Sequence, residues 1–124
     1  MELTPHIIQL LKALAQFDPV VVEEEDAHRL RFERDTKVTE ILWPRRVGEI
    51  FFDFIKGGEV LLAESIEYYQ NETQLQQAED VARVTRNFLL NEVKVVQSGP
   101  LLKRRELQSY RSGKWLSVFE SAAQ

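Results

Sequence analysis

Two adjacent glycines, Gly57-Gly58, stand between the apolar runs Ile50–Ile55 and Val60–Ala63. A tight two-residue hairpin turn needs positive φ at its centre, and glycine supplies it because no Cβ clashes there. The stretch from Gly48 to Tyr69 is therefore expected to be a long β-hairpin. A two-residue turn sets Lys56 opposite Glu59, Ile55 opposite Val60, Phe54 opposite Leu61 and Phe52 opposite Ala63. One face then carries Ile50, Phe52, Phe54, Leu61 and Ala63. The other carries Phe51, Ile55, Val60, Leu62 and Ile66, with Asp53 and Glu64 set among them. A sheet that is apolar on both faces is usually covered on both or lines a groove. The hairpin is thus expected at the centre of the sheet.

The remaining elements follow from periodicity and punctuation. Thr4-Pro5 opens a helix whose stripe is Ile7, Leu10, Leu11, Leu14 and Phe17, and Asp18-Pro19 ends it. It must pack on something, and the sheet is the expected surface. Val20–Glu25, His28–Arg34 and Val38–Trp43 read as three strands, the second alternating strictly between apolar and charged residues. A second helix is expected from Asn71–Thr73, with Thr73 and Gln76 at capping-box spacing. Its buried stripe is Leu75, Ala78, Val81, Ala82, Thr85, Phe88 and Leu89, while Glu79, Asp80, Arg83 and Arg86 face water. Val93–Gln97 returns to the sheet. Arg104–Arg111 and Lys114–Glu120 form a last hairpin about Ser112-Gly113, setting Tyr110 opposite Trp115, Leu107 opposite Val118 and Arg105 opposite Glu120. The tail from Ser121 to Gln124 is expected to fray. The fold class is α+β, with two helices and a mostly antiparallel curved sheet of about seven or eight strands. The order is α-β-β-β-β-β-α-β-β-β.

Composition sets the class. A chain of 124 residues with 44% hydrophobic and 29% charged side chains can bury a core, and 1–124 reads as one domain. The absence of cysteine excludes disulfides and thiolate chemistry and fits a reducing cytoplasm. No apolar run reaches the ~18 residues that span a bilayer, so no membrane is expected. The N-terminus lacks the pattern of a signal peptide. A net charge of −4 disfavours nucleic acid as partner. Acids gather at Glu49, Asp53, Glu59, Glu64 and Glu67. Bases gather at Lys103, Arg104, Arg105, Arg111 and Lys114.

No motif points to catalysis or to a cofactor. His6 and His28 have no second ligand at metal-binding spacing, which leaves them structural or surface roles. Asp53 and Glu64, sharing an apolar face in the expected register, are the pair most suited to acid–base work or to binding a basic group. Tyr110 and Trp115 beside the basic segment could stack bases, although a strand pair explains them equally. Gly57-Gly58 is a turn, and no glycine-rich phosphate loop is present.

In general style the chain is loosely similar to bacterial immunity proteins: small, acidic, cysteine-poor α+β domains that inactivate a toxin by plugging it. That likeness transfers no residues. The expected function is a non-enzymatic, cytoplasmic protein-binding domain, immunity- or antitoxin-like, whose acidic and aromatic surface engages a basic partner protein. Its expected binding residues are Glu24, Asp26, Asp53, Glu59, Glu64, Tyr110 and Trp115. The run Glu23–Asp26 with Glu49, Glu59 and Glu67 would steer that partner. A homo-oligomer is compatible with the sequence. The alternative is a small-molecule-binding domain or small enzyme with an apolar pocket between sheet and helices, using Asp53, Glu64 or His28 as polar handles.

Overall fold

A computed structural model describes residues 3–46, 48–68, 73–101 and 104–121. Tyr69, the expected helix start at Asn71, the basic Lys103 and the tail beyond Ser121 lie outside them. The element order is α1 (Pro5–Ala15), β1 (Val20–Glu23), β2 (Ala27–Arg34), β3 (Lys37–Pro44), β4 (Glu49–Lys56), β5 (Glu59–Glu67), α2 (Gln74–Leu89), β6 (Val93–Ser98), β7 (Arg104–Arg111) and β8 (Lys114–Ser117). This is the α+β order read from the sequence. The strands do not share one sheet, however. A large sheet runs β1-β2-β3-β4-β5 and a small one β6-β7-β8, with every pair antiparallel.

The hairpin β4–β5 is consequently not central: β3 is, and β5 forms an edge. Its turn is the expected one, with φ of 60° at Gly57 and 82° at Gly58. Its register departs from expectation two residues beyond the turn. Ile55 pairs with Val60, but Phe54 pairs with Leu62 and Phe52 with Glu64, because Leu61 is bulged out. The far end is fixed by a close backbone approach. Tyr68 donates its N–H to the Gly48 carbonyl, and a Cβ at Gly48 would lie 2.4 Å from the Tyr68 carbonyl oxygen. Only glycine fits that position.

The inner face of the large sheet holds Leu30, Phe32, Ile41, Trp43, Ile50, Phe52 and Phe54, all buried. Against it lies α2, with the Phe88 ring 5.1 Å from that of Phe54. Thr73 and Gln76 form the expected reciprocal capping box at its start. Val81, Ala82, Thr85, Phe88 and Leu89 are buried as expected, whereas Leu75 remains about half exposed. Arg83 and Arg86 do not simply face water. They donate to the carbonyls of Phe119 and Leu14, which ties the last turn and the first helix to α2. Two cations from the β2–β3 turn close the other end of α2: Arg34 donates to the Leu89 carbonyl and Lys37 to that of Phe88. Burial, with Lys56 and Arg34 nearby, holds the Lys37 ammonium below the usual lysine range.

Helix α1 is capped by Thr4, has Pro5 in its first turn, and stops at Ala15 because Gln16 turns left-handed at φ 65°. It packs chiefly on α2, not on the sheet. The sheet's inner face is already filled, so α1 forms an outer layer. His28 is buried beneath the start of the chain, with Nε2 accepting from the Leu3 N–H at 3.0 Å and Nδ1 2.6 Å from a Glu23 carboxylate oxygen. That contact, with Arg45 adding to it, keeps the Glu23 carboxyl below its ordinary range. His28 thus occupies a buried, hydrogen-bonded place on the inner face of β2.

The candidate binding cleft beside β5

As an edge strand, β5 has backbone groups that no neighbour satisfies. In an antiparallel ladder, alternate residues turn both N–H and C=O toward the partner strand. The Tyr68–Gly48 bond sets the phase, so Ile66, Glu64 and Leu62 face β4 while Ser65 and Ala63 face outward. The outward N–H and C=O groups of Ala63 and Ser65 have no partner among the described residues. Just before them, the bulged Leu61 turns its carbonyl toward Arg105, which donates to it at 3.3 Å and ties the two sheets together there. Beyond this tie the sheets diverge.

The divergence opens a cleft of about 410 Å³ between β5 and the β7–β8 side. Leu62, Leu107 and Phe119 line it with apolar surface, and Glu64, Arg104 and Glu106 line it with charge. Phe119 reaches this position because the chain leaves the small sheet early. After Ser117 it turns, and the Phe119 ring sits edge-on to Phe52 and Phe54, with centroids 5.7 and 5.8 Å away. Arg111, buried against this turn, donates to the carbonyls of Ser117 at 2.6 Å and Glu120 at 2.9 Å and to Ser109 Oγ at 2.8 Å. Burial pushes its guanidinium below the usual arginine range. Asn87 of α2 adds a second clamp on the carbonyls of Val118 and Glu120.

At the mouth of the cleft, Glu64 and Arg104 are exposed and neither side chain has a partner among the described residues. The cleft therefore offers four things side by side: an unpaired strand edge, a small apolar patch in a mainly polar lining, a free carboxylate and a free guanidinium. Together these suit an extended peptide, whose backbone pairs with the edge and whose alternate side chains enter the cleft.

Of the seven residues expected to bind, only Glu64 lies here. The bulge at Leu61 places Glu64 on the Phe52 face and Asp53 on the opposite one, so the expected Asp53–Glu64 pair does not form. Asp53 sits on the outer face of β4, opposite Ala63. Glu59 faces Lys56 beside the β4–β5 turn. Glu24 is bound by Arg29 at 3.2 Å, and the Asp26 carbonyl accepts the Arg45 N–H. Strand β2, which separates Glu24 and Asp26 from the turns near Glu59, is eight residues long. That puts the two ends about 24 Å apart, beyond the ~10 Å Debye length at 0.1 M salt. Glu59 therefore stands apart from Glu24 and Asp26, whereas the register brings Glu49 and Glu67 to the Ala27 end of the sheet, near the run Glu23–Asp26. Glu23 and Glu24 also carry arginine partners.

Tyr110 and Trp115 are opposite each other as expected, with ring centroids 5.3 Å apart, on the face of the small sheet turned away from Leu107 and Ser109. Arg105 does not meet Glu120. It pairs with Gln97 and reaches Leu61, because Glu120 belongs to the turn that Arg111 holds. Sequence reasoning missed Arg104, Phe119 and the outward backbone of β5. The one signal for them was the charge run Arg104-Arg105 following Gly99-Pro100.

Compared with protein-family models, curated proteins and solved structures, the chain matches none.

Proposed function

We propose that this chain is a non-enzymatic protein-binding domain that takes an extended segment of its partner as an added strand beside β5. The observation that carries this is the unpaired backbone of Ala63 and Ser65 at the mouth of a cleft with an apolar patch at Leu62 and Phe119. Main-chain pairing supplies affinity without sequence preference, and the patch at Leu62 and Phe119 selects an apolar side chain. The basic-partner expectation narrows to one group: a lysine or arginine of the segment opposite Glu64, with an acidic residue suited to Arg104. An immunity-like inhibitor would be one use of such a surface, with the segment supplied by the toxin.

The test is selection of binders from a random dodecapeptide library displayed on phage, followed by titration of the selected peptides into ¹⁵N-labelled protein. Amide shifts should concentrate on 61–66, 104–107 and 117–119. Ala63→Pro removes an outward N–H on an edge strand, a site where proline is tolerated. It should leave the fold intact and weaken binding at least tenfold. Peptides that bind Ala63→Pro as they bind the parent would overturn strand addition. A cleft of this volume also falls in the range of small-molecule sites. A small ligand that shifts Leu62 and Phe119, and is indifferent to Ala63→Pro, would support that second reading.

A further inference from the structure

The free edge of β5 is open along Ser65 and Ala63 and shut at Leu61. The outward N–H and C=O groups belong to Ala63 and Ser65, and the next outward carbonyl toward the turn, that of Leu61, is taken by Arg105 at 3.3 Å. A strand laid along this edge pairs at Ser65 and Ala63, but at Leu61 it meets the Arg105 side chain. It has to stop with the residue that faces Leu62. Two guanidiniums stand at that stop. Arg105 is exposed and, apart from its bond to Leu61, has no hydrogen bond or ion pair among the described residues. Arg104, the preceding residue of β7, lines the same cleft and is likewise exposed and unpaired among them. The two carboxylates of the lining are placed elsewhere. Glu106 accepts from Gln108 Nε2 at 3.2 Å, and Glu64 lies about 10 Å along the strand from Leu61.

We infer that the partner's segment is a free protein C-terminus, added antiparallel to β5 with its terminal carboxylate on Arg104 and Arg105. The inference rests on the strand-addition reading and adds the direction of the strand and the chemistry of its end. An antiparallel segment runs from Ser65 toward Leu61, so its C-terminal end arrives at the stop. A parallel segment would bring an ammonium there, against two guanidiniums. An internal segment would bring no charge and would have to leave the edge at Arg105. A C-terminus ends where the ladder ends and carries the charge that the arginines lack. Guanidinium–carboxylate bonds are charge-assisted and can be bidentate, and capture of a terminal carboxylate is a recurrent mode of peptide recognition. The register then places the side chains, because residues directly opposite one another share a face of the sheet. The last residue of the segment faces Leu62 and is apolar, beside Phe119. The one before it faces Ala63, exchanges both backbone hydrogen bonds with it and points its side chain outward. The third from the end faces Glu64 and is lysine or arginine. The ligand is thus a protein tail that ends basic, any residue, apolar, carboxylate.

The experiment selects on the whole chain from two dodecapeptide libraries, one displayed with a free C-terminus and one whose random residues are followed by a fixed tail. Binders should come from the first and end in an apolar residue with lysine or arginine two places before it. Each is then synthesised as the acid, as the C-terminal amide and with three glycines appended, and titrated by fluorescence anisotropy. The acid should bind at least tenfold more tightly than the other two forms. Arg104→Gln and Arg105→Gln, both at exposed positions, should each narrow that ratio at least threefold. The comparison of acid with amide needs no variant, so it decides the matter even if a substituted chain fails to fold. Acid and amide of equal affinity, both weakened by Ala63→Pro, overturn the C-terminal inference and leave strand addition standing. Peptides indifferent to Ala63→Pro overturn both. Binders from the fixed-tail library alone, or an acid preference that neither arginine substitution narrows, also overturn the inference.

Discussion

The two glycine-turn hairpins, β4–β5 and β7–β8, were legible by the same rule and were shaped by different forces. Both turns have two residues at positive φ, with 60° and 82° at Gly57-Gly58 and 53° and 79° at Ser112-Gly113. In β7–β8 the register holds from the turn to Ser117 opposite Gln108, and Val118 still donates to the Leu107 carbonyl, as expected, before the chain turns away. In β4–β5 the register slips at Leu61 and continues to the Gly48–Tyr68 contact. Turn chemistry thus fixes the first pairs of a hairpin, while packing decides how far they run and whether a residue is bulged out. The core needs Phe52 and Phe54 beneath α2, and it draws Phe119 out of the small sheet to join them.

The largest test of that contrast is at the core end of β4. Phe52→Ala removes a fully buried ring that stacks on Phe54 and meets the Phe119 ring edge-on, and it should cost about 3–5 kcal/mol. Phe51→Ala, one residue away on the outer face, should cost less than about 1 kcal/mol. Urea midpoints separate the two. Similar losses at both positions would mean that the two faces of the hairpin are equally buried.

Next in size is the far end of the same hairpin. Gly48→Ala forces a Cβ against the Tyr68 carbonyl, and overpacking of this kind costs about 1–3 kcal/mol. Amide exchange at Tyr68 should rise with it. The small-sheet hairpin has no such close glycine contact among the described residues, so its exchange should depend on the turn and on the clamps by Arg111 and Asn87. Unchanged Tyr68 protection in Gly48→Ala would show that the β4–β5 register is set wholly from Gly57-Gly58.

Much of this was legible because it is local. Thr73 and Gln76, Thr4-Pro5, the alternation of β2 and both turns depend on residues within four positions of each other. What was not legible depends on residues far apart in the chain. The bulge at Leu61 answers to Arg105, which lies 44 residues away. The turn that carries Phe119 to Phe52 and Phe54 is held by Asn87, 31 residues before Val118. The candidate site suffered most. It is made of an unpaired backbone, which has no sequence signature, and of a cleft between sheets that were expected to be one. Glu64 was identified as notable, but for a pairing with Asp53 that a one-residue slip abolishes.

The turns themselves give a smaller test. Gly57→Val and Gly113→Val each put a β-branched residue at positive φ and should cost about 1–2 kcal/mol. Gly58→Asn should be mild, since asparagine tolerates the left-handed region. Ser112 already occupies that region without being glycine, so Ser112→Asn should stabilise the protein by a few tenths of a kcal/mol. Thermal melts of the four variants rank them. Equal tolerance of valine and asparagine would remove turn geometry as the common basis of the two hairpins.

The smallest effect concerns the aromatic pair beyond that second turn. The Tyr110 and Trp115 rings meet at 62°, and the Lys94 ammonium lies 4.1 Å from the Trp115 ring centroid. Edge-on aromatic pairs couple by about 0.5–1.5 kcal/mol, and an exposed cation over a ring adds about 0.5–1 kcal/mol. Tyr110 is 45% exposed, which places the expected coupling near the low end, at about 0.5 kcal/mol. A double-mutant cycle with Tyr110→Ala and Trp115→Ala measures it, because the single losses include strand propensity and burial that the cycle removes. The same variants separate stabilisation from recognition. The pair faces away from the β5 cleft, so both truncations should lower stability while the selected peptides bind with unchanged affinity. A coupling near zero, together with a tenfold loss of peptide affinity, would reverse that assignment. The aromatic pair would then be the contact surface that the sequence suggested, and β5 would be an edge with no ligand.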